Sequence, residues 1–275
     1  MIKFLSSLFC LAGGGAIGRE GPTLQISAVI FHYFGQKVRR FYPNSSEQTW
    51  VIAGAAAGLA SAFNTPLGGI VYAIEELGMA YFHRIRTALL TAVIISGIVS
   101  QSILGSYLFL GYPRLAPLGW SSWPLILLTG FLSGLCGVLF SRGLLYCIDV
   151  KKKKLTTTKQ LALFAVCCGL GASVLLYFNS AAMGPGTSLI SRILFEGESA
   201  SFFLVVSRIL ATGLAYLSGA AGGIFAPSLT IGASIGSKLA FLFGSQSVNM
   251  LAMIGMIGFL TGVTQAPFTS FILVL

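Results

Sequence analysis

The sequence predicts an all-α integral membrane protein whose short, tilted and re-entrant helices form two inverted repeats. Of its 275 residues, 55% are hydrophobic and only 9% charged, whereas roughly a quarter of a soluble chain is charged. The 34 glycines and 9 prolines fall largely inside apolar runs, which suits broken, closely packed helices better than plain spans. The residues behind the net charge of +10 gather in short loops. That charge reads as positive-inside topology rather than as a nucleic-acid surface.

Residues 2–17 read as an apolar helix with no cleavage-type polar boundary, so no secretory signal is needed to explain them. Then comes Gly18-Arg19-Glu20-Gly21-Pro22, which carries both signs of charge between apolar runs and a proline suited to a first helical turn. The apolar helix expected at 22–34 reaches roughly 20 Å, short of a hydrocarbon core of about 30 Å. Its far end meets a basic loop, 35–48, with Lys37, Arg39 and Arg40, so it is expected to start part-way across the membrane. Its N-terminus would then offer N–H groups to an anion, with the Glu20 carboxylate placed where that anion would sit. An ionisable group at such depth is a functional candidate by default.

Residues 49–63 form a helix in which Gly54-Ala55-Ala56-Ala57-Gly58 offers a close-packing face. Asn64-Thr65-Pro66 breaks it, and 67–77 makes a second short helix ending in Glu75-Glu76, so the two read as a re-entrant pair. Arg84 and Arg86 mark another basic loop, 78–86. Residues 88–104 span, and 105–123 lie outside with Arg114 and the interfacial anchors Trp120 and Trp123. Residues 124–148 span back to Asp149-Val150-Lys151-Lys152-Lys153-Lys154 and Lys159. Placing that loop in the cytoplasm puts the other two basic loops there as well. Further helices are expected at 161–178, 202–217, 228–243 and 250–263, with breaks at 179–187 and 218–227. Both ends stop inside hydrophobic runs, which is expected of a truncated chain.

The breaks repeat. Aligning Pro22 with Pro227 pairs Gly18 with Gly223, Leu24 with Leu229, Ile26 with Ile231, Ala28 with Ala233 and Ile30 with Ile235; aligning Pro66 with Pro267 pairs Gly54 with Gly255 at nearly the same offset. Interrupted short helices at matching positions of two halves point to a transporter built from repeats, with its site where they meet. One transmembrane domain is expected over 1–275, with 1–148 most of the first half and 155–275 part of the second.

Other chemistries find little support. The five cysteines include adjacent Cys167-Cys168 but no C-x-x-C, and read as small buried apolar side chains. His32 and His83 stand without H-E-x-x-H spacing, so no metal site is expected. Gly13–Gly18 matches G-x-G-x-x-G without a βαβ context, and Gly232–Gly236 matches G-x-S-x-G without a preceding strand, so neither a nucleotide site nor a hydrolase is expected. Asn44-Ser45-Ser46 is a sequon on the cytoplasmic side, expected to be unmodified.

Taken together, Gly18–Pro22 and Gly222-Gly223-Ile224-Phe225-Ala226-Pro227 resemble the chloride channel (CLC) family of anion channels and anion/proton exchangers. In that family G-[KR]-E-G-P and G-G-x-F-x-P are signature segments, and the A-F-N-x-P break and terminal glutamates of 54–76 are similar too. The resemblance implies chloride/proton antiport, with Glu20 as the gating glutamate and Glu76 accepting protons from the cytoplasmic side, supported by Glu75. It implies an anion held by backbone N–H groups of Ile224 and Phe225 at a central site and of Arg19 and Gly21 at an outer one. Arg19 would have no ligand role through its side chain. Chloride, protons and lipid are the implied partners, with a homodimer, no nucleic acid, no metal or organic cofactor and no enzymatic activity. The implied location is a prokaryotic plasma (inner) membrane. Alternatives are a passive voltage- or pH-gated chloride channel and a non-transporting fragment. The family's earlier serine motif has no counterpart before Gly18, so the resemblance specifies no anion preference.

Overall fold

Glycine and proline, more than changes of polarity, set the helix ends. The computed structural model describes residues 2–38, 41, 46–77, 82–105, 110–113, 119 and 122–275. Arg39, Arg40, Asn44, Ser45, Arg114 and Trp120 lie outside these, as do the side chains of His83 and Arg84. The helices are α1 (Ile2–Ala12), α2 (Glu20–Val38), α3 (Glu47–Phe63), α4 (Pro66–Tyr72), α5 (Phe82–Leu104), α6 (Trp123–Lys154), α7 (Thr158–Phe178), α8 (Thr187–Ser191), α9 (Phe202–Ser218), α10 (Phe225–Leu242), α11 (Val248–Thr264) and α12 (Pro267–Val274). A π-helical turn, Ala73–Leu77, follows α4, and another, Arg192–Glu196, follows α8. Four helices among the described residues are long and apolar enough to cross a membrane: Arg86–Leu104, Trp123–Lys154, Thr158–Phe178 and Phe225–Leu242.

Several expected boundaries move. α1 ends at Ala12 rather than at residue 17, because Gly14 turns to φ 81° and Gly15 N bonds back to Cys10 O at 2.8 Å. α2 has 19 residues, not the expected 13, and so extends about 28 Å. It continues through Gly35, where the Trp50 indole lies so close that no side chain fits. A helix of that length has no need to start part-way across a membrane; Glu20 is nevertheless buried within the protein, 1% exposed. α10 begins at Phe225, three residues before the expected start, and the helical turns between Thr187 and Glu196 had no expected counterpart. Of the cysteines only Cys168 is buried; Cys147 and Cys167 are exposed, against the expectation of five buried side chains.

The helix order bears out the repeat at the level of local structure. α2 and α10 each start two residues before a proline. α3 and α11 each end on a left-handed residue, Asn64 (φ 54°) and Gln265 (φ 62°), the positive-φ non-glycine residues of the described chain. Each is followed by one residue and the proline that opens α4 or α12. A left-handed residue terminates a helix by redirecting its last N–H to earlier carbonyls, and the proline after it cannot continue that helix.

Compactness divides the chain into two units, Met1–Arg19 with Pro113–Gln265, and Glu20–Tyr112 with Ala266–Leu275. In the first, α11 carries glycines on two faces. Gly255 lies against Gly232 and Gly236 of α10, while Gly258 and Gly262 lie against Gly130, Gly134 and Gly137 of α6. In the second, Gly54 meets Ala28 and Phe31 of α2, and a methyl at Gly58 would stand 2.9 Å from Ser27 Cβ. Such small-residue seams let backbones approach closely where lipid removes the hydrophobic drive between helices. Hydroxyls inside them bond to their own helix, as Thr230 does to Ala226 O and Ser234 to Thr230 O.

This packing predicts that Gly255→Ala, whose methyl would strike Gly232 O, costs roughly 1–3 kcal/mol by overpacking. Gly143→Ala, with nothing within 4 Å, is neutral or stabilising by up to about 1 kcal/mol. Unfolding curves of the two variants in the same detergent compare them directly; equal stabilities would remove the close seam.

Candidate functional site

Two glycine-rich breaks in the first unit meet backbone to backbone. Gly18 N donates to Gly223 O and Gly223 N to Gly18 O, both at 2.7 Å, forming an isolated antiparallel bridge. These are the residues that the repeat aligns, and a reciprocal contact between equivalent positions is what a local two-fold relation produces. Gly222 beside the bridge lies on Ile17, which is fully buried, so that a Cβ there would overlap the isoleucine side chain. Tyr216 of α9 donates its hydroxyl to Gly222 O at 2.9 Å, and Ala221 N reaches Ser6 Oγ of α1 at 3.4 Å. The Ala221–Gly223 strand of the bridge is thus held by helices of the same unit.

Helix starts follow the bridge on each strand. Phe225 opens α10 two residues after Gly223, and Glu20 opens α2 two residues after Gly18. In α10 the bond from Ser228 N to Ile224 O, 3.0 Å, begins the ladder, and Pro227 has no N–H. The N–H groups of the Ile224–Ala226 turn precede that ladder and point out of the helix end, where the macrodipole is positive. Glu20 and Gly21 hold the same register at the start of α2, with Pro22 third. Such an end can receive an anion or a carboxylate.

The expected site residues divide as follows. Arg19, Ile224 and Phe225 belong to the first unit, whereas Glu20, Gly21, Glu75 and Glu76 belong to the second. The Arg19 side chain is exposed and Glu20 is buried. Glu75 and Glu76 share the π-helical turn after α4 but differ in surroundings. Glu75 Oε1 accepts from Phe268 N at 3.0 Å, and its Oε2 from Thr269 N at 2.7 Å and Thr269 Oγ1 at 2.6 Å. It is therefore a carboxylate cap on the N-terminus of α12. Glu76 is exposed.

Two charged features were not foreseen from the sequence. The Glu75 cap has no sequence signal, since its partners lie 193 and 194 residues away. Arg208, buried in α9, did carry one: a lone charge inside an apolar helix.

Comparison with known proteins agrees with the signature segments. A family model described as voltage gated chloride channel matches residues 1–275. The H(+)/Cl(-) exchange transporter ClcA of Vibrio cholerae is 32% identical over 288 residues, covering 100% of this chain and 61% of its own length. The voltage-gated ClC-type chloride channel ClcB of Citrobacter koseri is 31% identical over 296 residues, covering 100% of this chain and 66% of its own. Among solved structures, a slow cyanobacterial Cl-/H+ antiporter superposes with a TM-score of 0.80 at 27% identity, over 99% of this chain and 66% of that one. A CLC-type fluoride/proton antiporter gives 0.78 at 27% identity, over 95% and 65%. The chain thus spans about three-fifths of the length of the ClcA proteins it matches.

The capping geometry predicts that Glu75→Ala leaves the Phe268 and Thr269 donors without their acceptor and lowers stability by about 1–3 kcal/mol. Thr269→Val, which removes one of the three bonds, costs about 1 kcal/mol. Detergent unfolding of the two variants tests the order; an Ala variant as stable as the parent contradicts the cap.

Proposed function

We propose, from the premise that the chain belongs to the voltage-gated chloride channel family, that it moves chloride across a membrane in exchange for protons. The observation that carries this reading is the placement of Glu20. It is a carboxylate 1% exposed, at the first residue of a helix and two residues from the bridge that joins the family's two signature segments.

The mechanism is an electrostatic competition. An ionised carboxylate buried in an apolar layer is tolerated only against donors or positive charge. Ionised Glu20 takes the positive N-terminus of its own helix, α2, in place of an anion. Protonation removes its charge, the neutral side chain gives up the site, and chloride enters. When chloride leaves, Glu20 can deprotonate and return. Glu76, on the turn that also carries the Glu75 cap, exchanges protons with the cytoplasmic water and relays them towards Glu20. Anion and proton alternate because one position cannot hold both the carboxylate and the halide.

On this reading residues 1–275 belong to one transmembrane domain, with 1–148 most of the first half and 155–275 part of the second. It works as a homodimer in a prokaryotic inner membrane, and the chain is no enzyme. The names of the ClcA relatives and of the antiporter structures support exchange. That of ClcB supports passive conduction, and the acid at position 76 favours exchange, because the family's passive channels usually lack one there. Fluoride is the competing anion, as one structural neighbour is a fluoride/proton antiporter.

Reconstitution into liposomes, with anion and proton electrodes read together, tests the scheme. Parent protein is expected to drive protons uphill on a chloride gradient, and its chloride flux to rise as pH falls, since protonation empties the site. Glu20→Gln, fixed in the neutral form, keeps anion flux, loses that pH dependence, and reduces proton flux by roughly 100-fold or more, the contribution of a positioned proton-transfer group. Glu76→Ala is expected to keep anion flux and lose proton flux. Coupled proton movement surviving Glu20→Gln removes Glu20 from the mechanism, and a parent that moves chloride with no protons establishes the passive channel. Replacing chloride by fluoride in the same assay identifies the preferred anion.

A further inference from the structure

Arg208 stands in the middle of α9 with 1% of its surface exposed, the bulkiest of the fully buried side chains. Its Nη1 donates to Gly184 O at 2.8 Å and its Nη2 to Met183 O at 3.2 Å, while Nε has no partner. None of the described acidic residues forms an ion pair with it. A buried guanidinium compensated only by neutral carbonyls is costly to keep, and nothing in the exchange mechanism above uses it.

The carbonyls it holds belong to a loop that touches both the segment leading to Gly18 and helix α10. Gly184 N donates to Gly14 O at 3.0 Å, and the Met183 side chain fills the space beside Gly14. The segment that leads from α1 to Gly18 therefore rests on the loop that Arg208 secures. On its other side, Thr230 of α10 donates to Pro185 O at 2.8 Å. Gly186, at φ 86°, is closely approached by both Thr230 and Arg208 Nη2, so no side chain fits between them. Thr230 lies five residues past Phe225, about 7.5 Å along α10, which puts the guanidinium on the order of 10 Å from the N-terminus of that helix.

We infer that Arg208 is a positioning and field residue of the anion site: its fork fixes the 183–186 loop under the Gly14–Gly18 segment, and its uncompensated charge strengthens the binding of a halide at the start of α10. This rests on the transport reading of that site. At an effective dielectric of about 20, one unit charge at about 10 Å changes the affinity of a monovalent anion by roughly tenfold. The fixed carbonyls and the charge are separable, because glutamine can donate to carbonyls without charge, and lysine carries charge without the fork.

Isothermal calorimetry of chloride binding in detergent, in a Glu20→Gln background that removes competition by the carboxylate, tests the inference. Adding Arg208→Gln is expected to weaken chloride binding roughly tenfold. Adding Arg208→Lys keeps the affinity near neutral pH and loses it as pH rises, because a buried lysine gives up its proton at lower pH than an exposed one; the arginine parent stays flat over that range. An affinity within about twofold of the parent in the Gln variant overturns the role of the charge. If the Gln variant does not purify as a folded protein, the Lys profile decides alone, and a flat one overturns the inference. Absence of chloride binding by the Glu20→Gln parent itself sinks the transport reading, and the role of Arg208 with it, and is distinct from a parent that binds and a Gln variant that binds equally.

Discussion

Exposing backbone polarity inside an apolar layer without orphaning it is the constraint on which this architecture depends. The proposed anion path through hydrocarbon needs N–H groups that are not consumed by a helical ladder, yet every unsatisfied polar group there costs several kcal/mol. The reciprocal bonds between Gly18 and Gly223 meet both demands. They pair the extended residues just ahead of two helices, and leave the first-turn amides beyond them to face whatever lies at the helix ends. The arrangement requires a glycine at 222, because Ile17 occupies the space of any side chain. Tyr216 and Ser6 then hold the flanking backbone.

The same economy recurs at the other helix breaks. Asn64 and Gln265 turn left-handed at the ends of α3 and α11, and the prolines that follow start new helices in new directions. Those new helices are short, and in the second unit their ends are tied by a charge: Glu75 from the turn after α4 caps α12. A carboxylate accepting two backbone N–H groups and a hydroxyl stabilises a positive helix end much as a halide would. Adjacent glutamates thus serve unlike purposes, one bound to backbone and the other exposed to solvent.

Burial also distinguishes the charged groups. With 7 acidic residues against 17 lysines and arginines, most charges sit at helix ends, where Lys151 caps the Leu217 carbonyl at 2.6 Å. Among the described charged residues Glu20 and Arg208 stand apart by burial, each 1% exposed. In the proposed cycle Glu20 changes its charge. A guanidinium does not, which suits Arg208 to a constant field and to the fixing of a loop.

What the sequence by itself determined is local. Glycine and proline act within a few residues, so the break positions, the repeat of Gly18–Pro22 in Gly223–Pro227, and the apolar spans were legible, and Glu20 stood out as an acid between two apolar runs. Helix lengths were less so: α2 runs on through Gly35 because Trp50 packs there, and α10 starts early because its first turn is anchored at the Gly223 bridge. Only the tertiary structure decided which glycines meet, which carbonyls receive Arg208, and that Glu75 serves a helix 193 residues away. Those contacts join segments far apart in the chain, and an ionisable side chain carries no mark of its partner until packing has excluded water and left one set of donors or acceptors within reach.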